Sequence, residues 1–129
     1  MKLQTEEKFA FLQLSQYIAM IDGEYGPKER EVVNEYCIEM GIENIEIDKD
    51  TFSLDENLEI FTSKASQRIA MLTLMVLIHI DDKFGIYEHK TISTIAQKFN
   101  LTDKEVHYFS MWGKARAALY EQALLLIQA

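Results

Sequence analysis

Ile69-Ala70-Met71-Leu72-Thr73-Leu74-Met75-Val76-Leu77-Ile78-His79-Ile80 is the most apolar run of this chain. It carries no charged residue, and its Leu and Met content favours a helix over a buried strand. Apolar residues fall on every side of that helix, so it must be enclosed by other elements. With Thr73 and His79 inside it, the run is far short of the roughly 20 apolar residues needed to span a bilayer. The spacing predicts a central helix over residues 64–81.

The run ends in an acidic turn, Asp81-Asp82-Lys83-Phe84-Gly85-Ile86-Tyr87-Glu88. A similar stretch, Asp22-Gly23-Glu24-Tyr25-Gly26-Pro27-Lys28-Glu29, occurs 81 − 22 = 59 residues earlier, again after an Ile. The shared pattern is I-D-x-x-[YF]-G-x-x-E. Beyond it, Val33, Tyr36, Cys37 and Met40 occupy helical spacing, and Ile92, Ile95, Ala96 and Phe99 repeat that spacing at the same offset. Gly41 and Asn100, which both tolerate a left-handed helix exit, also correspond. The pattern reads as a duplicated helix–turn–helix unit whose halves cover each other about a pseudo-twofold axis.

The remaining segments are placed by local chemistry. Phe11, Leu14, Ile18 and Ile21, widened by Phe9, Leu12 and Met20, mark a largely buried first helix over residues 5–22. Pro27 suits the first helical position of the next, with Gly26 as its cap. Glu31, Glu35 and Glu39 form the wet face of that helix, and Cys37 packs as a small hydrophobe. Ile45 and Ile47 alternate with acids, but no partner strand is in sight, so this stretch reads as a loop. Ser53 to Glu56 and Thr102 to Glu105 have the form of capping boxes. They open a short helix containing Leu58 and Phe61, and the last helical region, where Val106, Phe109, Trp112 and Leu119 can face the core. Gly113 is a point at which that region can kink or divide. The expected fold is an all-α, single-domain bundle over residues 1–129, of about six or seven helices, in two related halves.

Composition narrows the function. The 129 residues carry a net charge of −8 and one cysteine. Residues 22–59 hold thirteen acids against three bases. That balance disfavours phosphate backbones, so no nucleic-acid partner is expected, and it permits cations or a basic protein as partners. The lone cysteine suits a reducing compartment, and Met1-Lys2-Leu3-Gln4-Thr5-Glu6 has no signal-peptide pattern, so the expected location is cytoplasmic. No zinc spacing, phosphate loop, nucleophile elbow or Glu-x-x-His pair occurs, so no enzyme and no small-molecule substrate are expected. His79, beside Asp81 and Asp82, reads as a hydrogen-bonded interior histidine, and His89 and His107 as surface residues.

Two candidate sites remain. Asp22, Glu24 and Glu29, with Asp81, Asp82 and Glu88, can offer oxygen ligands to a divalent cation such as Ca²⁺ or Mg²⁺. Yet Glu29 and Glu88 stand at the third helical position, where a carboxylate accepts from free N–H groups, and the aspartates suit turn closure. The second candidate is apolar. Trp112, Leu119, Leu124, Leu126 and Ile127 lie in a charge-poor end segment that needs cover, from its own core or from a second subunit.

The Ile-Asp22-Gly23-Glu24-Tyr25 turn with Glu29, and its recurrence as Ile80-Asp81-Asp82-Lys83-Phe84 with Glu88, resembles the hallmark of the TerB-like family. The resemblance runs from Glu6 to the end of the chain. That family is named for a tellurite-resistance protein and includes the N-terminal domain of a DnaJ-like membrane co-chaperone. The resemblance implies a non-enzymatic helical module of two related halves. Its acids at Asp22, Glu29, Asp81 and Glu88 would serve metal or a protein partner, in stress response or scaffolding. Asp82 stands opposite Gly23, and Ile21 and Ile80 replace the small residue common in the family.

Overall fold

The computed structural model describes residues 2–21, 25–80 and 86–128, and the side chains of residues 86–88 fall outside that description. The described chain is all-α. Its helices are α1 (Thr5–Met20), α2 (Pro27–Met40), α3 (Leu54–Glu59), α4 (Lys64–His79), α5 (Ile86–Lys98) and α6 (Asp103–Gln128). No strand occurs among the described residues.

Local chemistry sets the helix ends. Pro27 is the first residue of α2, and the Gly26 N–H donates to the Glu29 carboxylate at 3.3 Å. The Gln4 N–H does the same to Glu7 at 2.8 Å, starting α1. The Ser53 and Ser63 hydroxyls accept from Glu56 and Ser66 N–H groups and open α3 and α4. Thr102 and Glu105 bond reciprocally at 3.1 Å in each direction, the full capping box that begins α6. Gly41 and Asn100 leave α2 and α5 in the left-handed conformation, at φ of 70° and 55°. After each, the next N–H returns to a carbonyl five residues back: Ile42 to Cys37 at 3.0 Å, and Leu101 to Ala96 at 2.8 Å. Both exits are Schellman motifs in matching register.

The 59-residue offset of the turns extends to the helices around them. It separates Thr5 from Lys64, Met20 from His79, and Pro27 from Ile86. It holds for burial as well. Glu7, Phe11, Leu12, Ser15, Gln16, Ile18 and Ala19 are buried in α1, and their counterparts Ser66, Ala70, Met71, Leu74, Met75, Leu77 and Ile78 are buried in α4. No pair is identical, and Ser15 against Leu74 and Gln16 against Met75 set a polar residue against an apolar one, so the face is kept while the residues differ.

Helix α4 is the axis of the fold. Its Met71, Leu74, Met75 and Ile78 join Phe11, Leu14 and Ile18 of α1, Leu58, Phe61, and Ile92, Ile95 and Phe99 in the main core. From its other side, Val76, Leu77 and Ile80 meet Leu12, Val32, Val33, Cys37 and Ala117 in a second cluster. A helix apolar all round thus serves two cores at once.

The broadest helix–helix packing is between α4 and α6. Gly113 makes it possible: a Cβ placed there would lie 2.4 Å from the Met75 Cβ and 2.6 Å from its carbonyl carbon. The expectation that Gly113 can divide this region is therefore corrected. Helix α6 runs unbroken from Asp103 to Gln128, and the glycine serves close approach of two backbones.

The loop after α2 is held by a side chain that the sequence pattern does not single out. Gln16 of α1 is buried; its Nε2 donates to Asn44 Oδ1 at 3.2 Å and to the Ile45 carbonyl at 3.1 Å. Its Oε1 accepts from Ile47 N–H at 2.8 Å. The loop backbone is satisfied by this amide instead of by a second strand. Tyr17 stacks on Phe52 at 4.6 Å, and Asn57 donates to the Ala10 carbonyl at 2.9 Å, tying α3 to α1.

Candidate functional site

Of the acidic residues read as cation ligands, Asp22, Glu24, Asp81 and Asp82 lie outside the described residues, as does the side chain of Glu88. Glu29 is described, and its carboxylate caps α2 through the Gly26 N–H. Next to it, Arg30 lies over the Tyr25 ring at 4.1 Å, donates to the Tyr25 carbonyl at 3.0 Å, and pairs with Glu46 at 3.5 Å. The only phenol of this turn is thereby half-buried, and burial pushes its pKa up to about 12. Among the described residues no group of three His, Cys, Asp or Glu side chains is placed to hold a metal ion.

Cys37 is buried, and burial pushes its thiol pKa up, as suits a packed side chain. His79, half-buried at the end of α4, has its Nε2 2.9 Å from the Ser110 hydroxyl of α6. That contact makes it part of the α4–α6 joint. His89 and His107 are exposed.

Between α1, α2, α4 and α6 lies a groove of about 570 Å³. Phe11, Val32 and Val76 contribute to its apolar lining, Glu35, Glu39 and Arg116 to its charged lining, and Trp112 is one of its α6 residues. The Tyr36 hydroxyl donates to the Thr73 carbonyl at 3.3 Å, closing α2 onto α4.

The most extended feature is on α6. Its inward face is made of small or half-buried residues: Val106, Phe109, Gly113, Ala117 and Tyr120. Its large apolar residues point the other way. Trp112 is 39% exposed and Leu119 61%, which corrects the expectation that they face the core. Gly113 and Ala117 take the crossing point, and a bulky residue there would hold the two backbones apart. Tyr108, Trp112, Ala115, Leu119, Gln122 and Leu126 advance in alternating steps of four and three, with Met111, Ala118 and Leu125 alongside. Every one of these residues is exposed. This is the seam spacing of paired helices; its own residues carry no charge, and Lys104 lies over the Tyr108 ring at 5.9 Å where it begins. Of the interface residues expected from the sequence, Trp112, Leu119 and Leu126 lie on this seam, Leu124 is half-buried, and Ile127 is exposed on the line of Gly113 and Tyr120, away from the seam.

No family model, curated protein or solved structure matches the chain. No helix of the described residues is long and apolar enough to cross a membrane.

Proposed function

We propose that this chain is a non-enzymatic helical interaction module that works as a pair of identical subunits joined through the solvent face of α6. The observation that carries this reading is the charge-free seam from Tyr108 to Leu126. A twofold contact brings a patch against itself, so a patch without charged residues carries no like charges into the contact. At a net charge of −8, two copies repel over most of their surface. The α6 seam offers contact without that opposition.

The area is sufficient. Tyr108, Met111, Trp112, Leu119, Leu125 and Leu126 expose between 39% and 79% of their surfaces. At ~150–250 Å² for a large side chain, this amounts to roughly 700 Å². A standard interface buries about 800 Å² on each partner, and Ala115, Ala118 and Gln122 add to the total. The other reading, in which the acidic turns take a divalent cation or a basic partner as the TerB-like resemblance implies, draws on the repeated acids Asp22, Glu24, Glu29, Asp81, Asp82 and Glu88 and on the charge of residues 22–59.

The test is light scattering on the full chain and on a variant lacking Gln122–Ala129. The full chain is expected at twice the monomer mass of 15.0 kDa, and the shortened one at a monomer's mass with unchanged helical circular dichroism per residue. A monomeric full chain at 100 μM, a concentration of order ~10⁻⁴ M, would remove the proposal.

A further inference from the structure

We infer that the two copies lie antiparallel along α6, each placing its last turn against the partner's Tyr108–Met111 segment. The arrangement rests on the self-association proposed above and adds its direction and register. The first argument is the exposure of the helix end. Leu125, Leu126, Ile127 and Gln128 follow one another at about 100° around the helix, and all four are exposed. The last turn therefore stands clear of its own body on every side. Its final ties are Tyr120 in the second core cluster and the Lys28–Glu121 pair at 3.6 Å, followed by half-buried Leu124.

In a parallel pair the two projecting ends would touch only each other, and each would be covered on one side. In an antiparallel pair each end meets the part of the partner's α6 that is backed by α4 and the core. That surface already exposes Tyr108 and Met111, at 55% and 57%. Apolar groups at the end of one copy thus find apolar groups at the start of the other.

The second argument is side-chain volume. With Leu126 opposite the partner's Tyr108, Gln122 falls opposite the partner's Trp112 and Ala115 opposite the partner's Leu119. Along the middle of the seam a large residue meets a smaller one, which gives layers of even thickness. A parallel pair would stack Trp112 on the partner's Trp112 and Ala115 on the partner's Ala115, a crowded layer next to a hollow one. Opposed helix dipoles favour the same direction.

Distance measurement between spin labels decides it, with Lys104→Cys and Ala118→Cys labelled singly in the full chain. Both positions are exposed, while Cys37 is buried, and the unmodified chain is the labelling control. In the antiparallel register the two 118 positions sit beside the twofold axis, with labels roughly 15 Å apart across helices packed at 8–10 Å. The two 104 positions are separated by 26 residues of rise, about 40 Å. Short distances at both positions would overturn the antiparallel arrangement and leave self-association standing. No dipolar coupling at either position would remove both proposals.

Discussion

Helices α4 and α6 are both rich in large apolar residues, and the fold treats them in opposite ways. Around α4 there is a neighbour on every side, so Leu74, Met75, Leu77 and Ile78 are all buried. Helix α6 is covered along one face only, and at that face it presents Gly113 and Ala117. Its larger residues Leu119 and Leu126 point to solvent, and Trp112 stands between that face and the groove. The two helices touch most closely where one of them has no side chain at all. Burial follows from how many neighbours a helix has and how near they come, so composition alone does not rank the two. A helix with small residues inward and large ones outward is built into its own domain at one face and left open to a partner at the other.

The largest expected break in this contrast comes from truncating each helix once. Leu74→Ala should lower the unfolding free energy by about 3 kcal/mol, within the range for emptying a core leucine site. Leu119→Ala should change monomer stability by less than about 0.5 kcal/mol, while weakening association in light scattering. Equal losses in urea titrations of the dilute proteins would mean that the outward face of α6 is not open.

Next in size is Gly113→Ala. The added Cβ meets the Met75 backbone, which cannot rotate away as a flexible side chain would. Overpacking costs about 1–3 kcal/mol, and the better helix propensity of alanine returns ~1 kcal/mol, so a net loss of up to about 2 kcal/mol is expected. Stabilisation instead would show that the two helices can move apart freely, and that α4 does not fix the position of α6.

The smallest effect is on alkaline stability. Tyr36, held against α4, and Tyr120, on α6, both have phenol pKa values pushed up by burial, and Tyr36 more so. An unfolded phenol ionises near ~10, before the folded one does, so the native state retains protons that the unfolded state has lost. The contribution is fully present below pH ~10 and is lost as pH rises above it. Urea midpoints should fall from pH 10 upward, and Tyr36→Phe should flatten that fall more than Tyr120→Phe. The reverse order would place Tyr120 in the tighter environment.

Much of this was legible before any coordinates, wherever a few neighbouring residues decide the outcome. Pro27 with Gly26 and Glu29, the exits at Gly41 and Asn100, and the Thr102–Glu105 box are local hydrogen-bond and dihedral problems with one cheap solution each. The matching exits of α2 and α5 had been visible as a sequence repeat. The pairing of α1 with α4 was legible too, in the predicted ranges 5–22 and 64–81, but their matching burial was not, because Phe11 against Ala70 or Gln16 against Met75 share a burial position without sharing a chemistry. Gln16 itself passes as an ordinary polar residue until the loop it clasps is folded over it.

For the candidate site the sequence supplied the apolar residues of α6 and the absence of charge among them. Their direction depended on Gly113. Read along the chain, a glycine in a long helix suggests a break, because its backbone freedom is the only local property it has. Read in three dimensions, the same missing Cβ lets Met75 approach, turns the inner face of α6 toward α4, and sends Trp112, Leu119 and Leu126 outward. The chain alone therefore determined where helices start and stop and that one of them must be central. Only tertiary packing decided which face of α6 remains open, because that depends on contacts between residues far apart in sequence, which no local pattern encodes.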